Sequence, residues 1–241
     1  MDTEMDREKA SIAYLCHELR TPVSAIIGIS NLLAGQKCSS QRHMECVDIL
    51  RSTSGMLSAL LYGMLDYFKA GAGMLQLEPR PFNLGKAAQD AAQIIAPSAR
   101  LKGLDLQIDI ASHLPVQLMG DAMRIKQIVI NLLSNAVKFT SKGAIRLAIT
   151  SQITEPGYHR ISIVVTDTGI GLTEEQCGKI FDKYTQAHSF NSHQYGGTGL
   201  GLSICRALTF LMGGTIAVKS TIGIGSEFEV ILELTDVTST Q

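Results

Sequence analysis

The chain has no surplus of either charge: 21 Lys and Arg stand against 22 Asp and Glu in 241 residues, and no run of like charge breaks the balance. That argues against a nucleic-acid partner or an anionic membrane surface, both of which call for a basic patch. No stretch approaches the roughly 20 apolar residues of a membrane-spanning helix, and the opening "MDTEMDREKA" lacks the apolar core of a secretory leader. Cysteine is sparse and scattered. Cys16, Cys38, Cys46, Cys177 and Cys205 are odd in number and include no pair two residues apart, which fits neither a disulfide framework nor a zinc knuckle. The expectation is a cytoplasmic chain that touches neither membrane nor nucleic acid, with any membrane-borne sensor lying outside it.

Proline is missing from Asp6 to Lys69 except at Pro22, and apolar residues there recur at alternating three and four spacing, the period of coiled-coil helices. The small polar stretch "AGQKCSSQ", Ala34 to Gln41, predicts a turn. After it Val47, Leu50, Leu57, Leu61, Met64 and Phe68 resume the seam, with Ser54 as its polar member. Two helices bury such a seam less well than four, so a homodimer with a four-helix bundle is expected. "AGAGMLQLEPRP", Ala70 to Pro81, holds glycines and prolines that end the second helix. The predicted organisation is a helical hairpin over residues 1–73, a linker over 74–81 and an α/β sandwich over 82–241, an α+β chain as a whole. Within the sandwich the pattern predicts helices near Leu84–Lys102, Ala122–Phe139 and Leu200–Met212, and strands at Leu106–Ile110, Ala144–Ile153, Arg160–Thr166, Thr215–Ser220 and Ser226–Leu234.

On the first helix the seam runs Ile12, Leu15, Leu19, Pro22, Ile26, Ile29 and Leu33. His17 then falls on the opposite face, Thr21 stacks one turn later on the same side, and Glu18 flanks the imidazole. Pro22 has no N–H, so the helix is expected to bend about one turn after His17. For a lone exposed His, a solvated helix face is the plainer reading.

"NLLSNAVKFT" sets Asn131, Asn135 and Lys138 at i, i+4 and i+7 with Gln127 one turn earlier, a polar stripe opposite Ile125, Ile128, Val129 and Leu132. Amide oxygens suit Mg²⁺, which keeps waters and shares substrate phosphates, and a lysine suits phosphate. "VVTDTGIGL" ends a strand at Asp167, and Gly169 and Gly171 let backbone approach a planar ligand whose amino group the carboxylate could accept from. "GGTGLGL" supplies Gly197, Thr198, Gly199, Leu200 and Gly201 ahead of a helix, a phosphate-wrapping arrangement at a helix N-terminus. It lacks the flanking strand and the Lys-Ser/Thr of a Walker loop.

Taken in order, "CHELRTP", "NLLSNAVKFT", "DTGIG", "IFDKYTQA" and "GGTGLGL" resemble the motifs of two-component sensor histidine kinases over nearly the whole chain, with "FDKYTQA" similar to hybrid kinases. The resemblance implies a dimerisation and phosphotransfer hairpin followed by a Bergerat-type ATP-binding domain. It implies ATP and Mg²⁺ as ligands, His17 as phosphoacceptor, Glu18 as assisting base, and a response-regulator receiver domain as partner. It further implies Asn135 on Mg²⁺ with Asn131 nearby, Asp167 reading adenine, Phe139 beside the base, and Gly197, Gly199 and Gly201 on the phosphate side. Thr21 resembles the phosphatase residue of families spelling "HExxT". Departures are Cys16 where many relatives have Ser, and Gln186 where some use Arg for the γ-phosphate, with Lys183 as a substitute. His188 and His193 read as solvated loop residues. The rival readings are a dimerising nucleotide-binding module that transfers nothing, and a Bergerat-fold ATPase that drives a clamp.

Overall fold

The structure is a computed structural model and describes residues 19–34, 40–71, 76–182 and 201–237. Helix α1 occupies 19–34 and continues through Pro22. Its only half-buried residues are Leu19, Pro22, Ile26, Ile29 and Leu33, the expected seam, while Thr21 is exposed. Helix α2 (Ser40–Gly71) is 32 residues long. Leu50 and Leu57 are half-buried on its seam, whereas Val47, Leu61 and the polar Ser54 are exposed. Ser52 is buried on a second face that the seam pattern does not reveal.

That second face meets the α/β unit. Ser52 Oγ lies 3.4 Å from Ser98 Oγ of helix α3 (Leu84–Leu101). A Cβ on Gly55 would come within 2.6 Å of Ile94 Cγ2, so only glycine lets α2 approach this closely. Helix α3 in turn buries Ala88, Ala91, Ala92 and Ala99 around Ile95, small residues that allow close packing on its neighbour α4 (Ala122–Phe139).

Seven strands form one sheet: β1 (Arg80–Phe82), β2 (Asp105–Ile110), β3 (Leu118–Gly120), β4 (Ala144–Glu155), β5 (Tyr158–Asp167), β6 (Thr215–Thr221) and β7 (Gly225–Asp236). The order is β1-β3-β7-β5-β4-β2, with β6 also on β7. β3 pairs the last residues of β7 and β6 pairs its first part, so the two share one edge of β7 end to end. Only β2 with β4 is parallel. Along β4 and β5 alternate residues turn inward, Ile145, Leu147 and Ile149 facing the same core as Ile161, Ile163 and Val165. Helices α3, α4 and α6 (Gly201–Leu211) cover that face. The other carries polar pairs such as Arg160 with Glu233 and Ser162 with Glu229. A sheet with helices on one face is the sandwich expected for this half.

The sequence pattern misses β1 and β3, three residues each, which are too short to show a period. It also misses α5 (Glu174–Lys179). β1 begins at Arg80, inside the stretch read as linker, and pairs antiparallel with β3. Among the described residues no helix is long and apolar enough to cross a membrane.

Candidate functional site

Helix α4 is fixed at both ends. At its start Asp121 is the N-cap: one carboxylate oxygen accepts from Met123 N and Arg124 N at 3.1 Å, and the other accepts from Glu78 N at 3.0 Å. Along its length Ile125, Ile128, Val129, Leu132, Leu133, Ala136 and Val137 are buried, which leaves Asn131, Asn135, Lys138 and Phe139 half-buried on the remaining side. Gln127 departs from the stripe proposed for it. It is buried, and its Oε1 accepts from Arg124 at 3.2 Å, so the polar stripe begins at Asn131.

Asp167 lies in phase with Ile161, Ile163 and Val165, so the alternation of β5 turns its carboxylate to the buried face at the strand's end. Burial raises its pKa above the ordinary carboxylate range, opposed by hydrogen bonds from the backbone of Gly169 and Ser226. The Gly169 bond to Oδ1 is 2.8 Å. A Cβ on Gly169 would stand 2.6 Å from the Phe139 carbonyl and 2.7 Å from Asp167 Oδ1. This glycine therefore lets the loop after β5 pass against the end of α4, and Ile170 N donates to that same Phe139 carbonyl at 3.4 Å.

Gly171 has φ +69°, and a side chain there would collide with the Thr221 carbonyl. From the other side Gly223 N donates to the Ile170 carbonyl and Ser220 Oγ accepts from Leu172 N, both at 2.8 Å. The loop is thus held between α4 and the β6–β7 turn. Lys138 Nζ sits 4.9 Å from the centre of the Phe139 ring, a cation over an aromatic face beside this loop.

The third component is the start of α6. Asn131 Nδ2 donates to the carbonyl of Gly201 at 3.4 Å. One turn deeper Cys205 is fully buried, its thiol pushed up to about 12 by desolvation and eased slightly by a hydrogen bond with Asn131. Helix α5 opens with a reciprocal cap: Thr173 Oγ1 accepts from Gln176 N at 3.1 Å and Gln176 Oε1 accepts from Thr173 N at 2.8 Å. Just after it Asp182 pairs with Arg206 of α6 at 3.3 Å.

The structure therefore brings Asn131, Asn135, Lys138, Phe139, Asp167, Gly169, Gly171 and Gly201 around the C-terminal half of α4. Thr21 stands on α1, outward-facing. His17, Glu18, Gly197, Thr198, Gly199 and Leu200 lie outside the described residues, as do Cys16, Lys183, Gln186, His188 and His193. A buried acceptor beside a glycine cradle, with a lysine and amides one or two turns away, suits a ligand with a flat donor-bearing ring at one end and anionic groups at the other.

Residues 120–236 match the family described as histidine kinase-, DNA gyrase B- and HSP90-like ATPase, and residues 8–73 match the His Kinase A (phospho-acceptor) domain. The chain belongs to the histidine kinases. Sensor histidine kinase GacS of Pseudomonas protegens is 38% identical over 223 residues, 92% of this chain and 24% of that one. Hybrid signal transduction histidine kinase A of Dictyostelium discoideum is 35% identical over 93% of this chain and 11% of its own length. This histidine kinase chain thus spans about a quarter or less of those relatives. Among solved structures, full-length ShkA in complex with AMPPNP matches with TM-score 0.62 and 29% identity over 93% of this chain and 46% of that one. The catalytic domain of histidine kinase ThkA matches with TM-score 0.51 and 27% identity over 64% of this chain and 95% of that one.

Several supports of this histidine kinase site carry no motif. Asp121 and Ser220 act through backbone hydrogen bonds to residues distant in sequence, for which a single sequence gives no signal. Gly225, the second glycine of "GIGSEF", has φ +136°, and a side chain there would strike the Asp167 carbonyl.

Proposed function

We propose that this chain is an ATP-dependent protein histidine kinase core that acts as a homodimer in the cytoplasm and passes its phosphoryl group to a receiver-domain Asp of a response regulator. The supporting observation is the packing at the end of β5: Gly169 N donates to the buried Asp167 carboxylate at 2.8 Å, and the missing side chain of Gly169 lets the loop lie against the Phe139 carbonyl, so that one buried acceptor stands at the end of α4. An adenine amino group is the matching donor. Lys138, Asn131 and Asn135 extend from there along α4, and Gly201 heads the helix that follows Gly197, Thr198, Gly199 and Leu200.

The donor set suits Mg²⁺ bound together with nucleotide: Asn135 supplies an amide oxygen, and waters and phosphates complete such a shell. Bound there, the ion would offset phosphate charge. In the reaction the imidazole nitrogen of His17 forms a bond to the γ-phosphorus as the bond to the β,γ-bridging oxygen breaks; ADP leaves and Glu18 takes the imidazole proton. Residues 1–73 supply the nucleophile and the dimer seam, 82–241 supply the donor, and 74–81 join them. Thr21, exposed on α1, is assigned the orienting of water in dephosphorylation of the receiver.

The test is incubation with γ-labelled ATP. Acid-labile, base-stable label on the protein, absent in His17→Gln at unchanged ATP affinity, is the expected result. Free phosphate alone would indicate an ATPase, and binding without transfer a nucleotide-dependent signalling module.

A further inference from the structure

Helix α4 ends where the nucleotide slot begins, and every carbonyl of its last turn has a partner. That of Ala136 accepts from Thr140 N at 3.0 Å, and that of Phe139 from Ile170 N. The carbonyls of Val137, Lys138 and Thr140 all accept from one group, the ammonium of Lys102, at 2.6, 3.1 and 3.4 Å. Helix ends normally leave such carbonyls to water or to a capping glycine. Here the cap comes from another helix: Lys102 is the C-cap residue of α3, its own backbone N–H bonded back to Ala99 and Arg100.

We propose that Lys102 is a positioning residue for nucleotide binding, holding the final turn of α4 so that Lys138, Phe139 and the Asp167–Gly171 loop keep one geometry. This rests on the reading of the slot as an ATP site. The chemistry favours lysine. An ammonium has three donors on one centre and meets three converging carbonyls, while its charge opposes the negative end of the helix dipole. Burial lowers its pKa from the ordinary lysine value, consistent with an ammonium drawn in among carbonyls. The two carbonyls flanking Phe139 go to Lys102 while that of Phe139 goes to Ile170, so the lysine and the loop hold alternate carbonyls of the same turn. Removing the ammonium would free Lys138 and Phe139 to turn with the fraying helix end.

The experiment compares wild type, Lys102→Met and Lys102→Arg in amide exchange without nucleotide and in autophosphorylation with Mg²⁺-ATP. In Lys102→Met exchange should rise at residues 136–140 and 169–171 while β4, β5 and β7 keep their protection. KM for ATP should rise about 5- to 30-fold with kcat at saturation within about twofold, the loss expected for charge-assisted hydrogen bonds. Lys102→Arg, with a planar fork in place of a point charge, should recover part of the KM. A Lys102→Met protein with wild-type KM overturns the proposal, whether or not its melting temperature falls. So does exchange that rises evenly through the sheet with kcat and KM worsening together, the pattern of a general stabiliser. Wild type that binds no ATP would instead overturn the reading of the slot itself.

Discussion

Asn131 of α4 and Gly201 of α6, 70 residues apart in sequence, are joined by a hydrogen bond from the Asn131 amide to the Gly201 carbonyl. One turn further on, the buried Cys205 thiol donates to the Ile128 carbonyl of α4 at 3.9 Å. Asn131 is therefore a bracket between two helices as well as a candidate ligand residue. Asn131→Ala should lower stability by about 1 kcal/mol in urea unfolding, the usual worth of such bonds. It should also weaken ATP binding, because the start of α6 is no longer held to α4. ATP affinity equal to wild type, measured by titration calorimetry, would restrict Asn131 to a packing role.

Gly169→Ala should be far more damaging than its size implies. The added methyl would stand 2.6 Å from the Phe139 carbonyl, so the loop or the helix end must move, at a cost on the order of 1–3 kcal/mol. ATP affinity should fall tenfold or more. Gly178→Ala is the matched control: it lies in α5 with nothing within 4 Å of an added Cβ, and should be neutral or stabilising by under about 1 kcal/mol. Thermal melts and nucleotide titration of the two variants check the contrast.

Asp167 predicts opposite pH slopes for stability and for ligand binding. Its folded-state pKa is raised by burial, so the native protein holds this proton more tightly than the unfolded chain. The stability it contributes is present at low pH and is lost as pH rises through the window from the ordinary carboxylate value to the raised one. An adenine amino group needs the ionised form. ATP affinity should therefore fall as pH drops into that window, by at most about tenfold per pH unit, after correction for titration of the nucleotide. In Asp167→Asn the affinity should be weak and flat over the same range. A wild-type profile parallel to that of Asp167→Asn would remove the carboxylate from recognition.

Cys205 should stay unmodified by thiol reagents in the native state at pH 8, since its thiol is buried and pushed up to about 12. The unfolded thiol ionises near 9.0, so stability contributed by the neutral buried form is lost as pH rises from there toward the folded value. The slope is about 1.4 kcal/mol per pH unit. Urea midpoints at pH 8 and pH 10.5 should diverge more for wild type than for Cys205→Ala.

What the sequence discloses follows from range. α1 spaces its apolar residues within one helix, and Leu19, Pro22, Ile26, Ile29 and Leu33 are indeed its half-buried stripe. The bounds of α4 are legible because its apolar stripe runs from Ile125 to Val137 within one helix. Asp167 was legible as an acceptor from the glycines that follow it. Its burial is set by strand phase and by the packing of α4. Lys102 and Ser52 could not be read this way. Lys102 acts on carbonyls 35 to 38 positions away, and Ser52 reads as an ordinary polar residue until Ser98 lies across from it. Gln127 shows the same limit: helical spacing puts it in line with Asn131, yet it is buried in the fold.

Helix α2 works as a shaft with teeth on two sides. Leu50 and Leu57 lie on one side, and Ser52 and Gly55 engage α3 on another. Successive residues of an α-helix are about 100° apart, so a roll of even half that angle carries Gly55 off Ile94 while it turns Leu50 and Leu57 by the same amount. Both sides turn together because the shaft is rigid. A turn of α2 about its axis therefore cannot leave its Gly55–Ile94 contact with α3 unchanged, and the C-cap of α3 is Lys102, the residue bonded to the last carbonyls of α4.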